Sequence, residues 1–146
     1  MVIRELRKAD FDLIVQVIDH WWGGPSTALA HPIFFYEFGG AALEADEGDR
    51  LIGFLLGFVA PSEPPLGYIH LVGVDPEFRK SGVGRALYGR FEETCRQKNV
   101  RQIKAITTVG NTGSREFHEA MGFAVEEALD YAGPGRARLV FRKTLS

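Results

Sequence analysis

Between Leu66 and Thr107 the chain runs through an apolar stretch, a turn containing two glycines, an amphipathic helix and a second apolar stretch. This succession constrains the fold more than any other feature. Two strands joined through a helix lie parallel in one sheet, because only a long crossover returns the chain in the same direction. The first strand is read as Leu66 to Val74 and the second as Ile103 to Thr107. Between them Val83, Leu87, Phe91 and Cys95 recur four apart, with Ala86 and Thr94 filling the same stripe. Arg85, Glu92, Glu93, Arg96 and Gln97 lie mostly outside it, as expected of a surface helix of about four turns.

The flanking segments fill out the layout. Val2 to Arg7 reads as a short strand. Phe11, Leu13, Ile14, Val17 and Ile18 recur at helical spacing behind Asp10, a candidate N-cap. Gly23-Gly24-Pro25 ends that helix near Trp22, and Ser26 to Pro32 reads as a loop. Ile33 to Phe38 predicts a second short helix. Ala41–Ala45 and Leu51–Ala60 are two apolar runs around Gly48, a hairpin signal. Asn111 to Met121 predicts a short helix stopped by Gly122, and Phe123–Tyr131 and Arg138–Lys143 predict two last strands. The order β-α-α-β-β-β-α-β-α-β-β gives an α/β fold in which helices flank a central mixed sheet. With 146 residues, one domain over 1–146 is expected.

Composition removes several function classes. A formal net charge of −2 argues against a general nucleic-acid or membrane surface. No apolar run approaches 18 residues, so no membrane span is expected. Charges at Arg4 and Glu5 stand where a signal peptide needs an apolar core, so a cytoplasmic location is expected. Cys95 is the single cysteine, which allows no intrachain disulfide and no Cys/His metal cluster. It sits on the buried stripe of its helix, where a structural role fits better than a nucleophile.

The strand-to-helix junction carries the chemistry. A helix N-terminus presents four N–H groups without intrahelical partners, and the helix dipole adds about half a positive charge there. Gly82 and Gly84 allow close approach of the main chain to an anion, and Arg79 and Lys80 add positive charge. These features suit a pyrophosphate. The nucleotide-kinase pattern G-x-x-x-x-G-K-[ST] is absent. The dinucleotide pattern fails too, since Leu87 stands at the third glycine position and the turn Asp75–Ser81 is long. Gly-x-Gly by itself is also compatible with a plain tight turn before a helix.

Arg79-Lys80-Ser81-Gly82-Val83-Gly84 fits the [QR]-x-x-G-x-[GA] motif of the GNAT family of N-acetyltransferases, behind the lead-in Val74-Asp75-Pro76-Glu77-Phe78. The stretch from Asn111 to Phe123, "NTGSREFHEAMGF", resembles the second signature of that family, and the element order is similar over nearly the whole chain. The resemblance implies acetyl-coenzyme A as co-substrate, with no metal. It implies that Val72 and Val74 meet the pantetheine arm through main-chain groups. It further implies that the amides of Arg79, Lys80, Ser81, Gly82, Val83, Gly84 and Arg85 hold the pyrophosphate and that Asn111 fixes the arm from the far side. A backbone N–H near Val72 to Val74 would polarise the acetyl carbonyl.

Transfer to an amine requires a base for the amine proton and stabilisation of the departing thiolate. The family often has Tyr where this chain has His118. An imidazole there is a candidate acid, and a structural helix residue is the alternative. For the base, the central strand offers no carboxylate. Strict alternation places His70 on one face with Tyr68 and Val72, making it a base or water-relay candidate if that face lines the cleft. Trp22, Glu37 and Tyr131 are candidates for the acceptor pocket, with Trp21 read as core.

The expected activity is acetyl-CoA-dependent N-acetylation of a small molecule or an exposed amino group by direct transfer in a ternary complex. The alternative is a non-catalytic acyl-CoA-binding or regulatory module on the same fold. No nucleic acid and no membrane are expected as partners. A homodimer is considered on the aromatic Phe34–Phe38 segment.

Overall fold

The computed structural model describes residues 1–22, 29–38 and 40–146. Among these, the strands β1 (Val2–Glu5), β2 (Leu43–Glu47), β3 (Arg50–Ala60), β4 (Leu66–Val74), β5 (Gln102–Thr108), β6 (Ala124–Ala128) and β7 (Arg138–Thr144) form one sheet. Their spatial order is β1-β2-β3-β4-β5-β7-β6. Neighbours are antiparallel except β4 and β5, which run parallel on either side of the helical crossover. The helices are α1 (Lys8–Trp22), α2 (Ile33–Tyr36), α3 (Val83–Gln97) and α4 (Thr112–Ala120), with a 3-10 turn at Pro76–Phe78.

The helices cover both faces of the sheet. The predicted stripe of α3, Val83–Leu87–Phe91–Cys95, is fully buried against Leu43, Leu55, Ile69, Ile103, Leu139 and Phe141. On the other face Ile14, Ile18 and Trp21 of α1 and Phe34 of α2 pack on Phe54, Leu56 and Leu71. α3 lies close because the strands beneath it carry glycine. A Cβ on Gly57 would stand 2.7 Å from the Phe91 ring, and one on Gly67 would stand 2.6 Å from Cys95 Sγ. Burial pushes the Cys95 thiol up to about 11, so it stays protonated and packs as a small apolar group.

Several boundaries differ from the sequence reading, each for a local reason. Asp10 is not the N-cap of α1. It lies inside the first turn, where its carboxylate accepts from the Arg7 amide at 2.8 Å, the reaching-back half of a capping box. It also takes both terminal nitrogens of Arg4 at 2.9 Å, which binds α1 to β1. The hairpin is tighter than predicted. β2 extends to Glu47 and β3 starts at Arg50, leaving a two-residue turn with Gly48 at φ 61°. β6 stops at Ala128, and residues 129–137 form the connection to β7. The expected helix stop at Gly23-Gly24-Pro25, the Ser26–Ala28 part of the loop and Gly39 lie outside the described residues.

The aromatic segment of α2 faces inward. Phe35 packs on Phe11, and Phe38 stacks on Phe58 at 4.4 Å. The surface that motivated a dimer is therefore largely used within the chain; Ile33 and Tyr36 remain exposed. Among the described residues, no helix is long and apolar enough to cross a membrane.

Candidate active site

A cleft of about 930 Å³ opens where β4 and β5 part. The two strands pair only at Gly67–Ile103, Tyr68–Lys104 and Ile69–Ala105, whereas β4 continues for five residues beyond. From His70 to Val74 the β4 edge toward β5 has no strand partner, while its other edge stays paired to β3. The unpaired groups form a ready track for an extended ligand. Val72 and Val74 lie on this track and line the cleft, as do Ala105, Ile106 and Thr107 from the β5 side.

The end of β4 leads directly into the glycine turn. Asp75 caps the 3-10 turn by accepting from the Glu77 amide at 3.0 Å, and Pro76 takes the first position. Arg50 donates to Asp75 at 2.7 Å and also to Glu77, fixing the turn against β3. The chain then enters α3 through Lys80 at φ 65° and Gly82 at φ 90°, a region that favours glycine. The first helical bond is Ala86 N–H to Gly82 carbonyl at 2.9 Å. Helix geometry thus leaves the amides of Gly82, Val83, Gly84 and Arg85 without intrahelical acceptors, and space above Gly82 is open to 4 Å. Gly84 has a different reason. Its Cβ position is 3.4 Å from the Phe117 ring, so an alanine would just touch that ring and only a longer side chain would press on α4.

The other predicted loop residues divide. The Ser81 amide is turned back to the Phe78 carbonyl at 3.3 Å, and its hydroxyl donates to the same carbonyl. Arg79 lines the cleft but donates to the Trp21 carbonyl near the end of α1. Lys80 and Arg85 line the cleft. Asn111 lines it too, although its side chain is engaged. The Oδ1 atom caps α4 by accepting from the Ser114 amide at 3.1 Å, and Nδ2 donates to the Thr107 hydroxyl at 3.1 Å.

His118 is buried on the cleft wall, stacked on Phe141 at 3.9 Å. One ring nitrogen, Nδ1, lies 2.7 Å from the Ser114 carbonyl. A carbonyl only accepts, so Nδ1 carries the proton and Nε2 accepts from the Tyr88 hydroxyl at 2.7 Å. Both nitrogens are occupied within the protein. Burial lowers the imidazole pKa, partly opposed by the Ser114 carbonyl, and burial raises that of Tyr88, so both are neutral at pH 7. The sequence reading passed over Tyr88, which sits one residue beyond the Leu87 stripe. Its signal is the four-residue spacing from Gly84, which places both on the side of α3 that meets α4.

His70 sits at a β-bulge. Leu56 pairs with Leu71 and Gly57 with Ile69, so His70 is the extra residue of β4. The bulge breaks the alternation assumed from sequence. His70 shares the α1 face with Tyr68, as expected, but Val72 turns to the α3 face. The His70 ring stacks on Phe34 at 4.9 Å, and Nε2 donates to the Leu29 carbonyl at 2.9 Å. The neutral ring therefore keeps its lone pair on Nδ1.

Trp22 is 40% exposed and lines the cleft, whereas Trp21 is core and stacks on Phe54. Glu37 is exposed after α2, outside the cleft lining. Tyr131 also lies outside the lining, with Lys104 Nζ 4.8 Å from its ring centre. Among the described residues, no His, Cys, Asp and Glu group is arranged to hold a metal ion.

Comparison with known proteins agrees with this geometry. The sequence model of the acetyltransferase (GNAT) family matches residues 3–123. The uncharacterised protein YxbD of Bacillus subtilis is 26% identical over 79% of this chain and 69% of its own length. Mycothiol acetyltransferase of Kocuria rhizophila is 32% identical over 85 residues, which are 56% of this chain and 28% of that protein. The chain thus spans under a third of that relative. A GNAT-family acetyltransferase structure from Desulfovibrio desulfuricans superposes with a TM-score of 0.83 at 20% identity, covering 99% of both chains. An aminoglycoside 6'-N-acetyltransferase complexed with coenzyme A superposes with a TM-score of 0.77 at 18% identity, covering 99% of this chain and 97% of that one. At these identities the likeness establishes the fold.

Proposed function

Since the chain belongs to the acetyltransferase (GNAT) family, we propose that it is an N-acetyltransferase that moves the acetyl group of acetyl-coenzyme A directly to an amine in a ternary complex. One observation carries the reading: the unpaired β4 edge and the four free amides of Gly82–Arg85 open into the same cleft. An extended arm pairs along the strand while a pyrophosphate rests on the helix N-terminus. When bound, the donor supplies an activated thioester carbonyl, and the protein supplies position and charge.

Backbone amides of β4 between Val72 and Val74 are the donors for the carbonyl oxygen as it gains charge. His70 is assigned as base. Its Nε2–H is held by the Leu29 carbonyl, which leaves Nδ1 to take a proton directly or through one water. The acid role is assigned to the Tyr88 hydroxyl, which lines the cleft: it gives its proton to the departing thiolate and is reprotonated from water, while His118, whose one proton stays on Nδ1 toward Ser114, positions that hydroxyl through Nε2. Trp22 borders the acceptor.

The same occupied imidazole favours a second reading, a module that binds acyl-CoA without turnover. Thermal unfolding separates donor binding from a mere turn. Acetyl-CoA at about 100 times its dissociation constant stabilises the fold by roughly 2.7 kcal/mol, and ATP and NAD do not. No shift with acetyl-CoA refutes the donor site. A shift without turnover on any amine selects the binding module.

A further inference from the structure

On the sheet face that carries α1 and α2, a row of cations lacks carboxylate partners among the described residues. Ile103, Ala105, Leu139 and Phe141 belong to the α3-side core, so Lys104, Arg138 and Arg142 alternate onto the opposite face, shared with Tyr68 and His70. Pairing sets Tyr68, Lys104 and Arg142 in one line across three strands. Like charges directly opposed across a strand pair are destabilising, and Lys104 and Arg142 are so opposed. Neither they nor Arg138 has an ion-pair partner among the described residues, whereas Arg4, Arg50 and Lys143 do. The carboxylate nearest in pairing on this face is Glu126, exposed on β6 opposite Val140 and also outside any ion pair among the described residues.

This row borders the cleft without lining it. The next pair along, Ile69–Ala105, is the last before the strands part, and Ile106, two residues after Lys104 on the same face, lines the cleft. Two residues span about 6.6 Å of strand, within the reach of a lysine side chain. Tyr131 of the β6–β7 connection stands against Lys104, which holds the ammonium at the edge of the acceptor side.

We propose that the acceptor is an amine carrying a second, anionic group, a carboxylate or a phosphate, which Lys104 and Arg142 hold while the amine faces the cleft; this rests on the acetyl-transfer reading above. A polycationic acceptor meets repulsion in the same place.

The test uses matched probes that differ by the anion. N-acetyl-L-phenylalanine is compared with N-acetylphenethylamine, and N-acetyl-phosphoethanolamine with N-acetylethanolamine, by equilibrium titration of the wild-type chain. The acetylated forms are products, so binding is read without turnover. The anionic member of one pair binds about ten- to a hundred-fold tighter, and which pair responds separates carboxylate from phosphate. The advantage collapses in Lys104→Gln and Arg142→Gln and is retained in Lys104→Arg. Equal binding within both pairs, no binding of either anionic probe at millimolar concentration, or an advantage unchanged in both glutamine variants overturns the proposal. So does faster acetylation of spermidine than of phenylalanine or phosphoethanolamine. A positive titration in a chain whose unfolding is unmoved by acetyl-CoA overturns the transfer reading alone.

Discussion

Replacing Glu44 by Gln raises the stability of the chain at pH 8. Glu44 is fully buried on β2, with its carboxylate 2.5 Å from Arg4 Nε. That contact is an ion pair without hydrogen-bond geometry, and neither carboxylate oxygen has a hydrogen-bond partner. The same guanidinium serves Asp10 at 2.9 Å and Asp46 at 3.1 Å, so one half-buried cation is shared by three carboxylates. Burial is the main cause that raises the Glu44 pKa, to about 8 from 4.5. The neighbouring carboxylates of Asp46 and Asp10 add to it, and Arg4 opposes it. The folded value exceeds the unfolded one. The native state therefore holds the extra proton, and its contribution is complete below about 4.5 and is lost as pH rises toward 8. His118 acts in the opposite sense. Its lowered pKa costs stability as pH falls below its ordinary 6.5. The clean window is therefore pH 7 to 8, where Glu44 removes about 1 kcal/mol, because the slope of about 1.4 kcal/mol per pH unit falls to half as pH reaches the folded value. With a urea slope of about 2 kcal/mol/M, the midpoint falls by about 0.5 M across the window. Circular dichroism in urea at four pH values measures it. In Glu44→Gln the midpoint is flat, and at pH 8 it lies above wild type. A wild-type midpoint that is constant or rises over the window, or a Gln variant that keeps the slope, refutes the reasoning.

Asn111→Ala removes the cap of α4 and costs about 1 kcal/mol in thermal or urea unfolding, with a larger effect on the unfolding midpoint than on acetyl-CoA affinity. His118→Phe keeps the stack on Phe141 but frees the Tyr88 hydroxyl. It lowers kcat about 100-fold, because the acid hydroxyl loses the partner that positions it, and leaves the acetyl-CoA dissociation constant within about three-fold, as steady-state kinetics and titration measure.

The frame of the fold was legible because it rests on local rules. The α3 stripe, the Gly48 turn and the Gly122 stop (φ 89°) each follow from spacing or from a residue that tolerates a left-handed backbone. Parallel pairing of β4 with β5 followed from the intervening helix. The glycine turn was legible as a motif, and the structure adds why Asp75 stands before it, as a cap tied to Arg50. What stayed hidden depends on contacts between distant segments. The bulge at His70 is a register shift against β3, and nothing in the sequence of β4 marks it. The partners of His118 come from α3 and from its own helix one turn back. The unpaired row of Lys104 and Arg142 appears only once β5 and β7 are set side by side.

As a mechanical object, the sheet is two plates, one of four strands and one of three, joined along β4 and β5 by three residue pairs. The two walls of the cleft belong to different plates. Val74 lies five residues beyond the last rung, a lever arm of about 17 Å. A rotation of about 5° at the rungs moves its tip by roughly 1.5 Å, more than the misplacement of about 1 Å that already costs a hundred-fold in rate. On the acetyl-transfer reading, the alignment of donor and acceptor is thus set by the stiffness of this short hinge and of the helix that crosses behind it.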